Sequence, residues 1–343
     1  MAKFNVKVFY AYMFISECKP IYAFYTIMFI NRGLSVADVA VLMALWSAFA
    51  IIFEIPSGIL ADRWNRRNLL AIRDILHGCC FIIWFFSHTF PMFAVGFAFW
   101  AVAGAFGSGT EEGLLYDNLK SDRCEESFTK VYGKAKLCAN MGVVAGIASG
   151  GILVGFISIE AIALISAAVC FVNVMVALRI REKNFYSERL DKESISFFNT
   201  FKDAGVFLKG SKVALVSVLF LVLFAGIGNY LDEFDALIIN DFQLSNIWVS
   251  VILSVRCAFV AVGNILAPTV QRKINSVKRI FLLYGISCAV LIVFSVIWNQ
   301  YAIPIFGLCF MIMAITEILL VNALQSEVKE EGRATVMSFF KVG

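Results

Sequence analysis

The residues of this chain able to do chemistry are ionisable side chains standing inside long apolar runs. Glu17 and Lys19 lie near the middle of the first such run, and Arg256 lies near the middle of another. Glu111 and Glu112 sit together at the end of a third, Glu317 near the end of a fourth, and Asp232, Glu233 and Asp235 follow Gly226 and Gly228 in a fifth. An ionised group at the centre of a bilayer costs at least ~3 kcal/mol on insertion scales, so each needs a partner, water or a proton. A carboxylate facing a cavity of low dielectric has its pKa pushed upward and can take a proton on one side and release it on the other. Static pairing is the competing reading: Lys19 would neutralise Glu17, and Arg256 an acid among Asp232 to Asp235. Neighbouring helical residues point ~100° apart, so Glu111 and Glu112 cannot share one role. Asp232 to Asp235 also fit a solvated position close to the outer interface.

Catalytic and metal chemistry find little support. The chain has His77 and His88 as its histidines, and nine cysteines scattered singly apart from Cys79 and Cys80. Neither metal-ligand spacing nor a disulfide framework is visible, and no nucleophile stands with a histidine, so the reading is of a non-enzyme without metal or cofactor.

The elements that must hold these charges are membrane spans. Hydrophobic residues make up 60% of the chain and charged residues 16%, with mean hydropathy +0.82. A soluble domain with a polar surface does not reach that balance. A spanning helix needs about 20 mostly apolar residues, and the sequence predicts spans near 8–30, 36–60, 69–88, 91–117, 136–157, 160–180, 213–239, 247–270, 279–298 and 301–325. The fold class is thus an all-α polytopic membrane protein, with ten full spans and the start of an eleventh.

Basic residues alternate between the connections. Arg63, Arg66, Arg67 and Arg73 follow the second span, Lys120, Arg123, Lys130, Lys134 and Lys136 the fourth, and Arg272, Lys273, Lys278 and Arg279 the eighth, while the opposite connections offer Arg32. The asymmetry places the amino terminus in the cytoplasm of a multi-pass protein of the plasma membrane. Spread over short loops, these charges read as topology and not as a nucleic-acid surface; the surrounding partner is the lipid bilayer. No cleavable leader is apparent.

The one long polar segment divides the chain into a six-helix bundle at 1–181, a cytoplasmic connection at 182–212 and a second bundle at 213–343. Ile195, Phe198, Phe201, Ala204 and Leu208 recur near helical spacing, which fits either an amphipathic surface helix or a plain linker helix. A displacement of 205 positions lays Gly58 on Gly263, Glu112 on Glu317, Asp117 on Asn322 and Ser121 on Ser326. Matching registers of a glutamate inside an apolar run point to two halves of parallel topology. The second half then lacks most of an eleventh span and all of a twelfth after Ala334, and truncation is the preferred explanation.

After the second span the chain reads Glu54, Ile55, Pro56, Ser57, Gly58, Ile59, Leu60, Ala61, Asp62, Arg63, Trp64, Asn65, Arg66, Arg67. This resembles the signature loop of the major facilitator superfamily: a glycine, then Leu-Ala-Asp-Arg, then a glycine followed by paired basic residues, between spans two and three on the basic side. Asn65 departs from the usual glycine, and asparagine tolerates a left-handed turn best among the other residues. The run from Leu114 to Asp117 resembles the family's fourth-span exit, and Arg333-Ala334-Thr335 the entry to its eleventh span.

The resemblance implies two pseudo-symmetric bundles and a cytoplasmic gate made by Glu54, Pro56, Gly58, Asp62, Arg63, Arg66, Arg67 and Asp117. In it Asp62 acts on the eleventh span and Arg66 pairs with Asp117; loop charges that merely enforce topology are the alternative. Spans one, four, seven and ten line the family's central cavity, and the intramembrane acids fall mostly on those four. Glu17, Glu112 and Glu317 are therefore the foremost cavity carboxylates, followed by Asp232, with Lys19, Glu111, Glu233, Asp235 and Arg256 beside them. Aromatic residues crowd the first span, with Tyr10, Tyr12, Phe14, Tyr22, Phe24 and Tyr25, and Trp46, Trp84 and Trp100 follow in its neighbours. Lipid-facing bulk explains most of them; cavity-facing aromatics would suit an apolar or cationic substrate.

The functional expectation is a monomeric secondary transporter working by alternating access, with protons as coupling ion and export of hydrophobic or cationic small molecules. Uptake of a nutrient or metabolite by the same fold is the first alternative. A non-transporting sensor or inactive fragment is the second.

Overall fold

The computed structural model describes residues 5–108, 110–182, 226–274 and 276–327. The side chains of 54–56, 58–63, 125, 129, 226–230, 277 and 321–327 lie outside that set. Outside it, therefore, are the side chains of Glu54, Pro56, Asp62 and Arg63 and the surroundings of Gly58, the seventh span before Gly226, nearly all of the 182–212 connection, and the start of the eleventh span. The described residues are helical and contain no strand. They fall into two units, Met1–Ser194 and Ile195–Gly343.

In the first unit, the initial apolar run does not make one helix. It forms α1 (Val6–Glu17), a 3-10 turn (Pro20–Ala23) and α2 (Tyr25–Asn31). Pro20 has no N–H to give the helix, and it biases the residue before it away from helical geometry. Lys19 accordingly sits at φ −115°, ψ 105°, an extended conformation. The chain continues through α3 (Val36–Arg63), α4 (Arg66–Phe86), α5 (Phe90–Gly107), α6 (Thr110–Ser121), α7 (Phe128–Leu153) and α8 (Ile159–Arg179). The described part of the second unit holds α9 (Gly226–Asp241), α10 (Asn246–Gln271), α11 (Val277–Ile297) and α12 (Ile303–Glu327). Eight of the helical stretches are long and apolar enough to cross a membrane.

Asn65 caps the amino end of α4 with φ −64° and ψ 121°. The left-handed turn that its place in the signature loop suggested is thus replaced by an extended one, which any residue adopts.

The break in the first span is seated on a row of small residues. Gly142, Gly146 and Gly150 lie four apart on one face of α7, a spacing that lets helix backbones approach closely. A Cβ at Gly146 would stand 2.7 Å from the Lys19 backbone N, and one at Gly142 or Gly150 would collide with the carbonyl oxygen of Phe14 or Pro20. The backbone around Lys19 is therefore held by direct main-chain packing.

Much of the aromatic bulk turns inward. Trp84, Phe29, Phe93 and Phe24 are fully buried. Trp84 stacks on Tyr25 at 5.6 Å, meets Phe29 edge-on at 4.9 Å and lies 5.2 Å from Trp100. The lipid-facing reading does not hold for this group: α2, α4 and α5 use it as their shared core.

Candidate functional site

Arg73 organises the charges of the first unit. As a basic residue near a basic loop it read as a topology marker, but it lies two turns into α4 with its side chain 10% exposed. Its Nη2 donates to Glu17 Oε1 at 3.1 Å, at the end of α1, and its Nη1 donates to Glu111 in the first turn of α6. Lys136 of α7 stands 3.7 Å from the other Glu111 oxygen. One guanidinium thus ties together acids from two other helices, an arrangement that suits its planar fork of donors.

Lys19 does not neutralise Glu17 by direct pairing. The extended backbone at Pro20 turns its side chain to a fully buried position, where Nζ donates to Tyr22 Oη at 3.0 Å and contacts His77 Nδ1 at 3.2 Å. The Tyr22 ring lies 5.7 Å from Trp100, and His77 meets Trp100 edge-on at 5.6 Å. Between the arginine and the histidine, Asp74 is fully buried on α4 and accepts a hydrogen bond from Asn173 Nδ2 of α8 at 2.9 Å.

Glu111 and Glu112 separate as their helical angle requires. Glu111 faces Arg73, whereas Glu112 accepts a hydrogen bond from Tyr132 Oη of α7.

At the end of the unit where α3 passes into α4, Arg66 Nη1 donates to Asp117 Oδ2 at 3.0 Å. Gly113 makes room for it, because a Cβ there would collide with the Arg66 guanidinium. Glu182 was not singled out from the sequence. Its carboxylate accepts the backbone N–H of Arg66 and of Arg67, each at 2.9 Å. It therefore satisfies two of the four unpaired donors at the start of α4 and sets a negative charge on the positive end of the helix dipole. At the other end of α4, Arg32 donates to the carbonyls of Ser87 at 3.0 Å and Phe85 at 3.3 Å, and lies 3.5 Å from Glu160. Both ends of this helix are thus tied by charge.

In the second unit Arg256 of α10 has its side chain 14% exposed and engages two acids of α9. Its Nε lies 2.7 Å from Asp235 Oδ2, and its Nη1 contacts Asp232. The guanidinium also lies over the Phe310 ring of α12, 4.9 Å from its centroid. Asp235 is buried, while Asp232 is 43% exposed and Glu233 half-buried. Glu317 stands exposed on α12 and makes no ion pair or hydrogen bond among the described residues.

The sites the structure brings together in the first unit are thus Glu17 with Glu111 through Arg73, Lys19 with His77 and Tyr22, and Arg66 with Asp117. Arg73, Asp74, His77 and Asn173 were missed in sequence reading. A signal for three of them existed: Arg73, Asp74 and His77 stand at helical spacing in a stretch that is otherwise apolar. No group of three or more potential metal ligands occurs among the described residues.

A chain of apolar helices with charge clusters buried between them fits a known family. The family model described as Major Facilitator Superfamily matches residues 9–343. A curated relative, the uncharacterized MFS-type transporter YfkF of Bacillus subtilis (strain 168), is 33% identical over 98 residues, which cover 28% of this chain and 23% of that protein. The match thus spans about a quarter of the relative's length. Among solved structures, a mutant of the nucleoside transporter NupG superposes with a TM-score of 0.79 at 14% identity, covering 98% of this chain and 87% of that one. A bacterial homologue of the human lysosomal transporter Spinster, in an inward-facing and unoccupied conformation, gives 0.71 at 16% identity, with 98% and 78% covered. The D-xylose-proton symporter gives 0.65 at 11% identity, with 98% and 88% covered. At such identities the likeness to these structures is one of fold, and it is the family match over nearly the whole chain that shows this protein to belong to the Major Facilitator Superfamily.

Proposed function

We propose that this chain is a proton-coupled transporter of small molecules that works by alternating access, and that it exports hydrophobic or cationic compounds across the plasma membrane with its amino terminus in the cytoplasm. The observation that carries the reading is the placing of Arg73, buried, and Arg256, half-buried, each between two acids within a membrane-embedded unit. Breaking either pair in lipid would leave an uncompensated charge, so a rearrangement that separates the partners must bring a proton, water or a substrate in exchange. Among the described residues Arg256 faces two acids, Asp232 and Asp235, and that balance of charge favours a cation.

Glu112 and Glu317 remain the proposed proton sites of the two halves, with Glu17, Glu111, Asp232 and Asp235 as acids whose pairing changes in the cycle. Arg66 and Asp117, with Glu54, Pro56, Gly58, Asp62, Arg63 and Arg67, are the proposed cytoplasmic gate. The protein is proposed to act as a monomer.

A second reading, uptake of a polar metabolite, is favoured by Lys19 and His77. They place nitrogen donors beside the Tyr22 and Trp100 rings, and the structural neighbours include a nucleoside transporter and a sugar symporter.

The two separate in proteoliposomes holding the full-length protein under an imposed pH gradient. Gradient-driven ethidium movement out of the cytoplasmic side supports export, and gradient-driven uridine or xylose accumulation supports uptake. Ethidium flux unchanged in both Glu112→Gln and Glu317→Gln would remove those two acids from the mechanism.

A further inference from the structure

Asp74 has no role in the charge clusters so far described, yet it is a fully buried acid of the first unit without an ion pair among the described residues. It follows Arg73 on α4 and precedes His77 by three residues, and its side chain is fully buried. Oδ2 accepts one hydrogen bond, from the neutral amide of Asn173 at 2.9 Å. Oδ1 has no partner among the described residues.

The neighbouring cations make no hydrogen bond to it. Arg73 directs its two terminal nitrogens to Glu17 and Glu111, and Lys19 directs Nζ to Tyr22 and His77. From the remaining helices, α1 contributes Tyr12, α6 contributes Glu111, and α8 contributes Cys170 and Asn173. No titratable residue occurs in α5 (Phe90–Gly107). An ionised carboxylate there would have one neutral hydrogen-bond donor, with Arg73 and Lys19 acting on it only through space, and burying an ion without a hydrogen-bonded counter-charge costs far more than burying the acid.

We propose that Asp74 is a proton carrier of the first unit, protonated in the packed arrangement described and ionised when the transport cycle admits water to its side of α4. The proposal rests on the proton-coupled reading above and adds, beside Glu112, a second residue of the first unit that would hold a proton. A proton that binds one arrangement better than the other shifts the balance between them by that difference. Glu17 and Glu111 are less suited to the task, since Arg73 compensates both in their ionised form.

Two measurements test it. In infrared spectra of the full-length protein in lipid nanodiscs at neutral pH, a protonated carboxyl band is expected that shifts on labelling aspartate with carbon-13. The band should be absent from Asp74→Asn, and in Asp74→Glu it should no longer respond to the aspartate label. A labelled band that persists in Asp74→Asn, or a wild-type protein without one, overturns the proposal. In proteoliposomes, the ratio of ethidium or uridine flux with and without a pH gradient is expected to fall towards one in Asp74→Asn and to recover in Asp74→Glu. Wild-type flux that ignores the gradient sinks proton coupling itself. Gradient-driven wild-type flux with an unchanged ratio in Asp74→Asn sinks the role of Asp74 alone. If neither probe moves, the infrared result decides.

Discussion

At the scale of single residues, the first unit depends on Arg73 more than on any acid. Replacing it with glutamine leaves half-buried Glu17 without its partner and buried Glu111 with Lys136 alone, and removal of one partner from a buried ion pair costs about 3–5 kcal/mol. Thermal unfolding in detergent should show Arg73→Gln strongly destabilised and Glu111→Gln less so, because Glu111→Gln leaves Arg73 with Glu17. In the double variant the losses should fall short of their sum, since both touch one interaction; full additivity would mean that the pair is not coupled. The acids were legible in the sequence, because a glutamate within an apolar run has few explanations. Their partner was not, since Arg73 follows Arg63, Arg66 and Arg67 closely enough to read as one more loop charge. Lys19 misled in the opposite way. Two positions from Glu17, it invited a local ion pair, and the backbone break carried it to His77, a residue 58 positions away.

At the scale of elements, the broken first span and the glycines of α7 form one device. Pro20 interrupts the helix, and Gly142, Gly146 and Gly150 accept the irregular backbone in close contact. Gly146→Leu would push the side chain into Lys19, so the monodisperse yield in detergent should fall sharply compared with Gly133→Leu, a position where an added Cβ meets nothing within 4 Å. Comparable yields would show that α7 can stand off from the break. Pro20→Ala restores a hydrogen-bond donor and permits helix to continue through Lys19. The nitrogen-15 resonances of His77 should then shift as the ammonium withdraws; unchanged resonances would mean that α7, and not Pro20, sets the bend. The span itself was evident from apolar length. Its interruption was written in Cys18-Lys19-Pro20, but length and hydropathy are insensitive to a single proline, and the packing that stabilises the break comes from residues more than 120 positions away.

At the scale of the whole molecule, apolar length and alternating basic loops carried the fold class, because both report on the bilayer and not on tertiary detail. Cys124, exposed in the connection after α6, offers a direct check of orientation. A membrane-impermeant maleimide should label it in inside-out vesicles and spare it in intact cells, with Cys124→Ser as the control; labelling in intact cells would invert the topology. What loop counting could not reveal is how the chain secures α4 at the end where it follows α3. The Glu182 carboxylate clasps the first two amides of that helix from the threshold of the long polar connection. A helix cap of this kind contributes only about 1 kcal/mol, within a few times thermal energy. Such a clasp behaves as a press-stud and not as a rivet: it opens and refastens at a cost comparable to thermal motion, while the ion pairs around Arg73 stay shut.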